Sequence, residues 1–166
     1  MTEVITDTVP QEEVDTEAIL DEICGYLRNY FVVKKDGYRK GKYTISGGSI
    51  SCNFLQEGQY FRIKGSVFND GVWQYPTDEL TDEVFEGEIW CMAVPPAVIT
   101  IIGEIDAWSK KYGGLDSVNM SPFTSESFNN YSYSKGSRNR SSGSSGSVPM
   151  TWSDVFGSKL ARWRKI

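Results

Sequence analysis

Apolar positions change their period along the chain. Between residues 15 and 31, Ala18, Ile19, Ile23, Tyr26, Leu27, Tyr30 and Phe31 recur at three- and four-residue spacing, which places them on one face of a helix. Asp15-Thr16 opens this segment. Thr16 takes the capping position, and Glu17 and Asp21 lie near the positive end of the helix. From Lys34 the period falls to two. The runs 43–46 and 49–53 flank Gly47-Gly48, the pattern of a tight hairpin. Residues 60–64 alternate, and Asn69-Asp70-Gly71 marks a turn into the run Val72-Trp73-Gln74-Tyr75. The segment from Glu88 to Val94 fits a strand or the start of a helix.

Pro95-Pro96 suits the first turn of a second helix, where a missing N–H had no partner to lose. Its stripe of Val94, Val98, Ile101, Ile105 and Trp108 runs through Lys111 and stops at Gly113-Gly114. Residues 115–150 are rich in Ser, Asn and Gly, with Phe123, Phe128, Tyr131 and Tyr133 set among them. This reads as a strand-like arm that lies on another surface, followed by a flexible Ser/Gly linker at 141–147. The pattern predicts an α+β fold: two packed helices with a small β-meander or barrel between them, then an extended C-terminal arm ending in a short helix. The divisions are an acidic flexible N-terminus at 1–14, a helix–meander–helix domain at 15–114, an arm and linker at 115–150, and a docking helix at 151–166.

Charge sharpens this layout. The net charge of −5 over 166 residues is unevenly placed. The first thirty-three residues carry Glu3, Asp7, Glu12, Glu13, Asp15, Glu17, Asp21 and Glu22 against Arg28 alone. From Ser134 onward, Lys135, Arg138, Arg140, Lys159, Arg162, Arg164 and Lys165 face Asp154 alone. Ends of opposite sign suit head-to-tail contacts between copies. A polar, acidic start carries no signal-peptide pattern, and the apolar run around Met92–Ile102 is too short for a bilayer. A soluble protein without a membrane partner is expected.

Catalysis is not expected. The chain has no histidine, so no Ser–His or Cys–His pair can form. Cys24, Cys52 and Cys91 are widely spaced without a CxxC pair and read as buried free thiols; no metal site or cofactor is implied. Asp78, Glu79, Asp82, Glu83, Glu86 and Glu88 read as a solvated loop between strands. Gly47-Gly48 lacks the residues of a phosphate loop. Lys34, Lys35, Arg39, Lys40 and Lys42 cluster with Tyr38 and Tyr43, a mix that single-strand nucleic-acid binding uses. A DNA-binding accessory protein using this cluster and the basic tail is therefore the alternative reading, against which the overall acidity argues.

The C-terminus is unusual for a chain end. Trp152, Phe156, Leu160 and Trp163 fall four, four and three apart, flanked by Lys159, Arg162, Arg164 and Lys165. Thr151 caps the start, with Asp154 in place of the usual capping-box Glu. A helix this short is marginal alone in water. It can fold back on its own domain, lie on a membrane surface or dock on a partner; the long tether favours the partner.

Four stretches resemble a known family. They are Gln59 to Pro76 (QYFRIKGSVFNDGVWQYP), Leu80 to Ile99 (LTDEVFEGEIWCMAVPPAVI), Ser125 to Tyr133 (SESFNNYSY), and the closing Arg162-Trp163-Arg164-Lys165-Ile166. The chain resembles the head–tail connector (adaptor) proteins of tailed phages and prophages of Gram-positive bacteria from about residue 15, the closing motif being most distinctive. One departure is Asn129-Asn130, where relatives often carry glycine before the Tyr-Ser-Tyr motif.

The resemblance implies a structural virion protein of the neck, made in the host cytoplasm. It would form a homo-oligomeric, twelve-fold ring between the portal protein and a stopper or tail-completion protein. The ring would extend the channel through which DNA passes without specific binding. Carried onto this chain, Trp152, Phe156, Leu160, Arg162, Trp163, Arg164, Lys165 and Ile166 become the portal-docking element. Phe123, Phe128, Tyr131 and Tyr133 become an arm on a neighbouring subunit or the portal surface.

Overall fold

The structure, a computed structural model, describes residues 14–113 and 151–166 together with the backbone of residues 125–128 and 131–134. Helix α1 (Thr16–Leu27) starts where the Asp15 side chain accepts the Ala18 N–H at 3.0 Å. Asp15, rather than Thr16, is therefore the cap; its carboxylate reaches an orphan donor of the first turn. The helix stops at Leu27, earlier than the apolar period suggests. Arg28 turns left-handed at φ 53°, and Asn29 N–H closes on Cys24 O at 3.0 Å. Tyr30 and Phe31 still pack on the helix core, but from the segment beyond the helix.

Five antiparallel strands follow: β1 (Tyr38–Ser46), β2 (Ser49–Ile50), β3 (Tyr60–Lys64), β4 (Gly71–Gln74) and β5 (Glu83–Cys91). They curl into a half-barrel in the order β2-β1-β5-β3-β4, so the last strand enters between the first and the third. The Gly47-Gly48 hairpin forms with both glycines at positive φ, 61° and 75°, the twist that suits a two-residue turn. Glu88–Cys91, open between strand and helix from the sequence, belongs to β5. That strand also takes in Glu83 and Glu86, which the sequence assigned to a loop.

Register divides the sheet into two faces. Ile45, Phe61, Ile63, Phe85, Ile89 and Cys91 point inward with Ile50, Cys52, Leu55 and Leu80 to fill the half-barrel. On the other face Tyr38 pairs with Trp90, Lys40 with Glu88 and Lys42 with Glu86, while Arg62 and Lys64 of β3 oppose Trp90 and Glu88. Val72 of β4 turns toward α1 and joins the helix core. Arg62 sits at that junction, 3.7 Å from Asp21 and over the Tyr30 ring at 4.0 Å.

Helix α2 (Pro96–Tyr112) buries Val98, Ile101, Ile102, Ile105, Trp108 and Tyr112, against Leu20, Ile23, Cys24 and Leu27 of α1. Two short strands, β6 (Ser125–Phe128) and β7 (Tyr131–Ser134), pair antiparallel with Phe128 opposite Tyr131 and Glu126 opposite Tyr133. Phe123 and Asn129-Asn130 lie outside the described residues. Helix α3 (Trp152–Leu160) and a 3-10 turn (Ala161–Trp163) close the chain.

Candidate interaction site at the C-terminal helix

Local chemistry explains why α3 forms despite its nine residues. Asp154 Oδ2 accepts both the Thr151 backbone N–H at 3.0 Å and the Thr151 hydroxyl at 2.9 Å. Asp154 thus serves as the acidic capping partner that the sequence indicates. The remaining stability comes from packing. Phe156 is 1% exposed and Leu160 0%, both within the core that α1 and α2 share. Each such burial is worth about 1.5–3 kcal/mol. Gly157 permits the close approach, because a Cβ there would stand 2.7 Å from Tyr26 Oη.

The helix thus takes the fold-back destination among the three that the sequence leaves open. The long tether favours a partner, but the apolar stripe finds a ready groove on its own domain and loses its contact with water there. Of the eight docking residues named from the sequence, Phe156 and Leu160 face inward and cannot meet a partner while α3 is seated. Trp152 and Trp163 are half-buried; Arg162, Arg164, Lys165 and Ile166 are exposed.

Specific polar contacts fix the seat. Trp152 Nε1 donates to Glu22 Oε1 at 2.7 Å, and its ring meets Tyr26 edge-on at 5.3 Å. Lys159 Nζ reaches Glu104 Oε2 at 3.0 Å. At the far end Lys165 N–H donates to Leu27 O at 3.0 Å, and Asn29 Nδ2 donates to Trp163 O at 2.9 Å. Asn29 and Leu27 lie where α1 ends, so the early stop of that helix creates the receptor for the closing residues. The sequence offers no signal for this pairing beyond an unexplained Asn after the helix.

What remains outside is a cationic, aromatic tip. The Arg162 guanidinium covers the Trp163 ring at 3.9 Å, and Arg164 lies 5.2 Å from the Tyr26 ring centre. Ile166 is fully exposed. A shallow groove of about 550 Å³ runs beside the other end of α3, lined by Glu22, Tyr26, Trp108, Thr151, Trp152 and Ser153. Trp108 Nε1 is buried and has no hydrogen-bond partner among the described residues.

The three cysteines are free and buried. Burial, with Asp21 nearby, pushes the Cys24 thiol up to about 12, and burial with Cys91 nearby pushes Cys52 up to about 11. Thiols held protonated in this way are poor nucleophiles. Among the described residues no group of His, Cys, Asp and Glu is placed to hold a metal ion, and no helix is long and apolar enough to cross a membrane. The chain matches no family model, no curated protein and no solved structure.

Proposed function

We propose that the protein is a structural adaptor of the phage neck, which joins a portal ring to the next tail component through its C-terminal end. The observation that carries this reading is the seating of residues 163–165 on the end of α1, with Arg162, Arg164, Lys165 and Ile166 facing solvent. This differs from a loose plug on a tether. The tip is held on a folded body, so less chain entropy is lost when it docks. Repeated around a ring, such tips act together, and modest single contacts sum to firm attachment through effective concentration.

The DNA-binding alternative loses part of its basis to strand register. Lys40 and Lys42 stand opposite Glu88 and Glu86 on the neighbouring strand, so carboxylates balance much of the cationic field that a phosphate backbone would need. A gel shift with short DNA at low salt tests it, and a salt-sensitive shift would favour it over the adaptor.

Co-sedimentation with purified portal rings tests the adaptor reading. The full chain is expected to pellet with the rings. The triple variant Arg162→Glu, Arg164→Glu and Lys165→Glu is expected to stay in solution while keeping its thermal unfolding midpoint. Equal pelleting of both proteins would refute a C-terminal attachment.

A further inference from the structure

The β3–β4 connection exposes apolar side chains on a backbone that is unusually well fixed. Val67 is 81% exposed and Phe68 67%. Glycines at positive φ, Gly65 at 92° and Gly71 at 143°, bracket it. Beneath the tip lies a buried polar network. Asn69, only 1% exposed, donates from Nδ2 to Thr81 O at 2.9 Å and to Glu83 Oε1 at 2.7 Å. Its Oδ1 accepts the Thr81 N–H at 2.7 Å, and its backbone carbonyl accepts Trp73 Nε1 at 2.9 Å. Ser66 donates its hydroxyl to Glu83, and its backbone N–H reaches Asp70 Oδ1 at 2.8 Å.

Nothing in this network needs Phe68 or Val67 to point outward for the fold. A loop fixed by so many hydrogen bonds and ending in a Val-Phe pair is a preformed anchor of the kind that dominates binding energy at interfaces. The loop and the segment after it carry one sign of charge, with Lys64 standing before them at the end of β3. Residues 65–83 include Asp70, Asp78, Glu79, Asp82 and Glu83 and no lysine or arginine. Gly48 N–H donates to Asp82 at 2.8 Å, and Ser66, Asn69 and Val67 hold Glu83. Hydrogen bonding keeps both carboxyls below their ordinary pKa.

The opposite end of the sheet is the complement. Cys91 accepts the Val33 N–H at 2.9 Å and donates to Gly37 O at 2.7 Å, which fixes the turn at residues 34–36 beside the end of β5. Exposed there are Lys34, Lys35 and Tyr38, the last 61% exposed and edge-on to Trp90 at 5.2 Å. Lys34, Lys35 and Arg39 there face Asp36 alone within the run 34–39, whereas Lys40 and Lys42 stand opposite Glu88 and Glu86. Glu83 marks the acidic end of β5 and Cys91 the basic end, roughly 26 Å apart at strand rise. No chain can bring its own tip to its own basic end.

We propose that the Val67-Phe68 tip of one copy docks on the Tyr38, Lys34, Lys35 end of the sheet in a second copy. Two different patches at opposite ends of one body make a heterologous contact, which propagates and closes as a ring where the rotation allows. This deepens the neck reading, since it supplies the contact between neighbouring domains of the ring. It also gives Lys34 and Lys35 a protein partner rather than DNA.

Crosslinking between differently labelled copies tests the contact. Full-length Val67→Cys and Lys35→Cys proteins, both keeping Phe68, are mixed at high concentration with a short bis-maleimide, beside a control pair of Val67→Cys and Lys110→Cys. The expected result is heterodimer well above the control, falling in 1 M salt. It should drop about tenfold when Phe68→Ser is added to the Val67→Cys chain, as for an anchor residue. Reversing Asp78 and Glu79 to Lys on the Val67→Cys chain should abolish it, and Lys34→Glu on the other copy should restore part. Heterodimer no greater than control, or no restoration by the charge swap, would overturn the proposal. The portal assay is separate: crosslinking can succeed where portal pelleting fails, and the reverse.

Discussion

The C-terminal helix and the β3–β4 tip place apolar residues in opposite ways. In α3 the stripe that the sequence reads as a surface for a partner lies in the domain's own core, with Phe156 and Leu160 fully covered. At the tip, Val67 and Phe68 stay in water although the turn around them is tightly hydrogen-bonded. Helix α3 is short and held mainly by packing. The tip is held by polar bonds, so its apolar side chains are free of any structural duty. Hydrophobic residues held by packing report on the fold; those held out by a polar clamp report on a partner.

Breaking the seat of α3 gives the largest expected effect. Phe156→Ala should cost about 3–5 kcal/mol of stability, and Leu160→Ala about 2–5, read from urea unfolding midpoints. Thiol labelling localises the damage. Cys24 lies in the helix core and Cys52 and Cys91 in the sheet core, so Phe156→Ala should speed Cys24 labelling ahead of the other two. Equal labelling of all three, or an unchanged midpoint, would mean that α3 is not part of the core.

Breaking the clamp is the next step down. Asn69→Ala leaves the Thr81 N–H without its acceptor and should cost about 1–3 kcal/mol. Acid probes the same clamp through Glu83, whose carboxyl is held below its ordinary 4.5 by Ser66 first among its hydrogen bonds. Because the folded pKa is the lower one, its contribution is complete above the unfolded value and is lost as pH falls through the folded value. Glu83→Gln should therefore flatten the acid limb of the stability curve as pH falls below the ordinary 4.5, relative to the wild type. An unaltered acid limb would remove Glu83 from the clamp.

The smallest expected effect sharpens the contrast most. Phe68→Ser should change stability by no more than about 0.5 kcal/mol, since the side chain touches water rather than core. A loss of 2 kcal/mol or more would show that Phe68 supports its own loop and would dissolve the distinction between the two regions.

Much of the architecture was legible from periodicity. Tyr60–Lys64, the Gly47-Gly48 turn and the Val98, Ile101, Ile105, Trp108 stripe follow from spacing and turn residues that act locally. Long-range pairing was not legible. No local signal tells β5 to enter between β1 and β3, or tells α1 to stop at Leu27 so that Asn29 can hold the Trp163 carbonyl. The amphipathic face of α3 was readable and its destination was not, because a stripe specifies that it must be covered, not by what. Of the tip, the sequence shows only a turn. Asn69-Asp70-Gly71 gave its geometry, while the exposure of Val67 and Phe68 depends on Glu83 and Thr81 arriving from another strand and loop.

The central claim is attachment to a portal through a seated C-terminal tip. It is tested most directly by the mass of portal rings mixed with excess full-length protein and separated by size with light scattering. The account predicts an added mass of one chain for every portal subunit, lost with the Arg162, Arg164, Lys165 charge reversal. Rings that gain no mass from the full-length protein would contradict it.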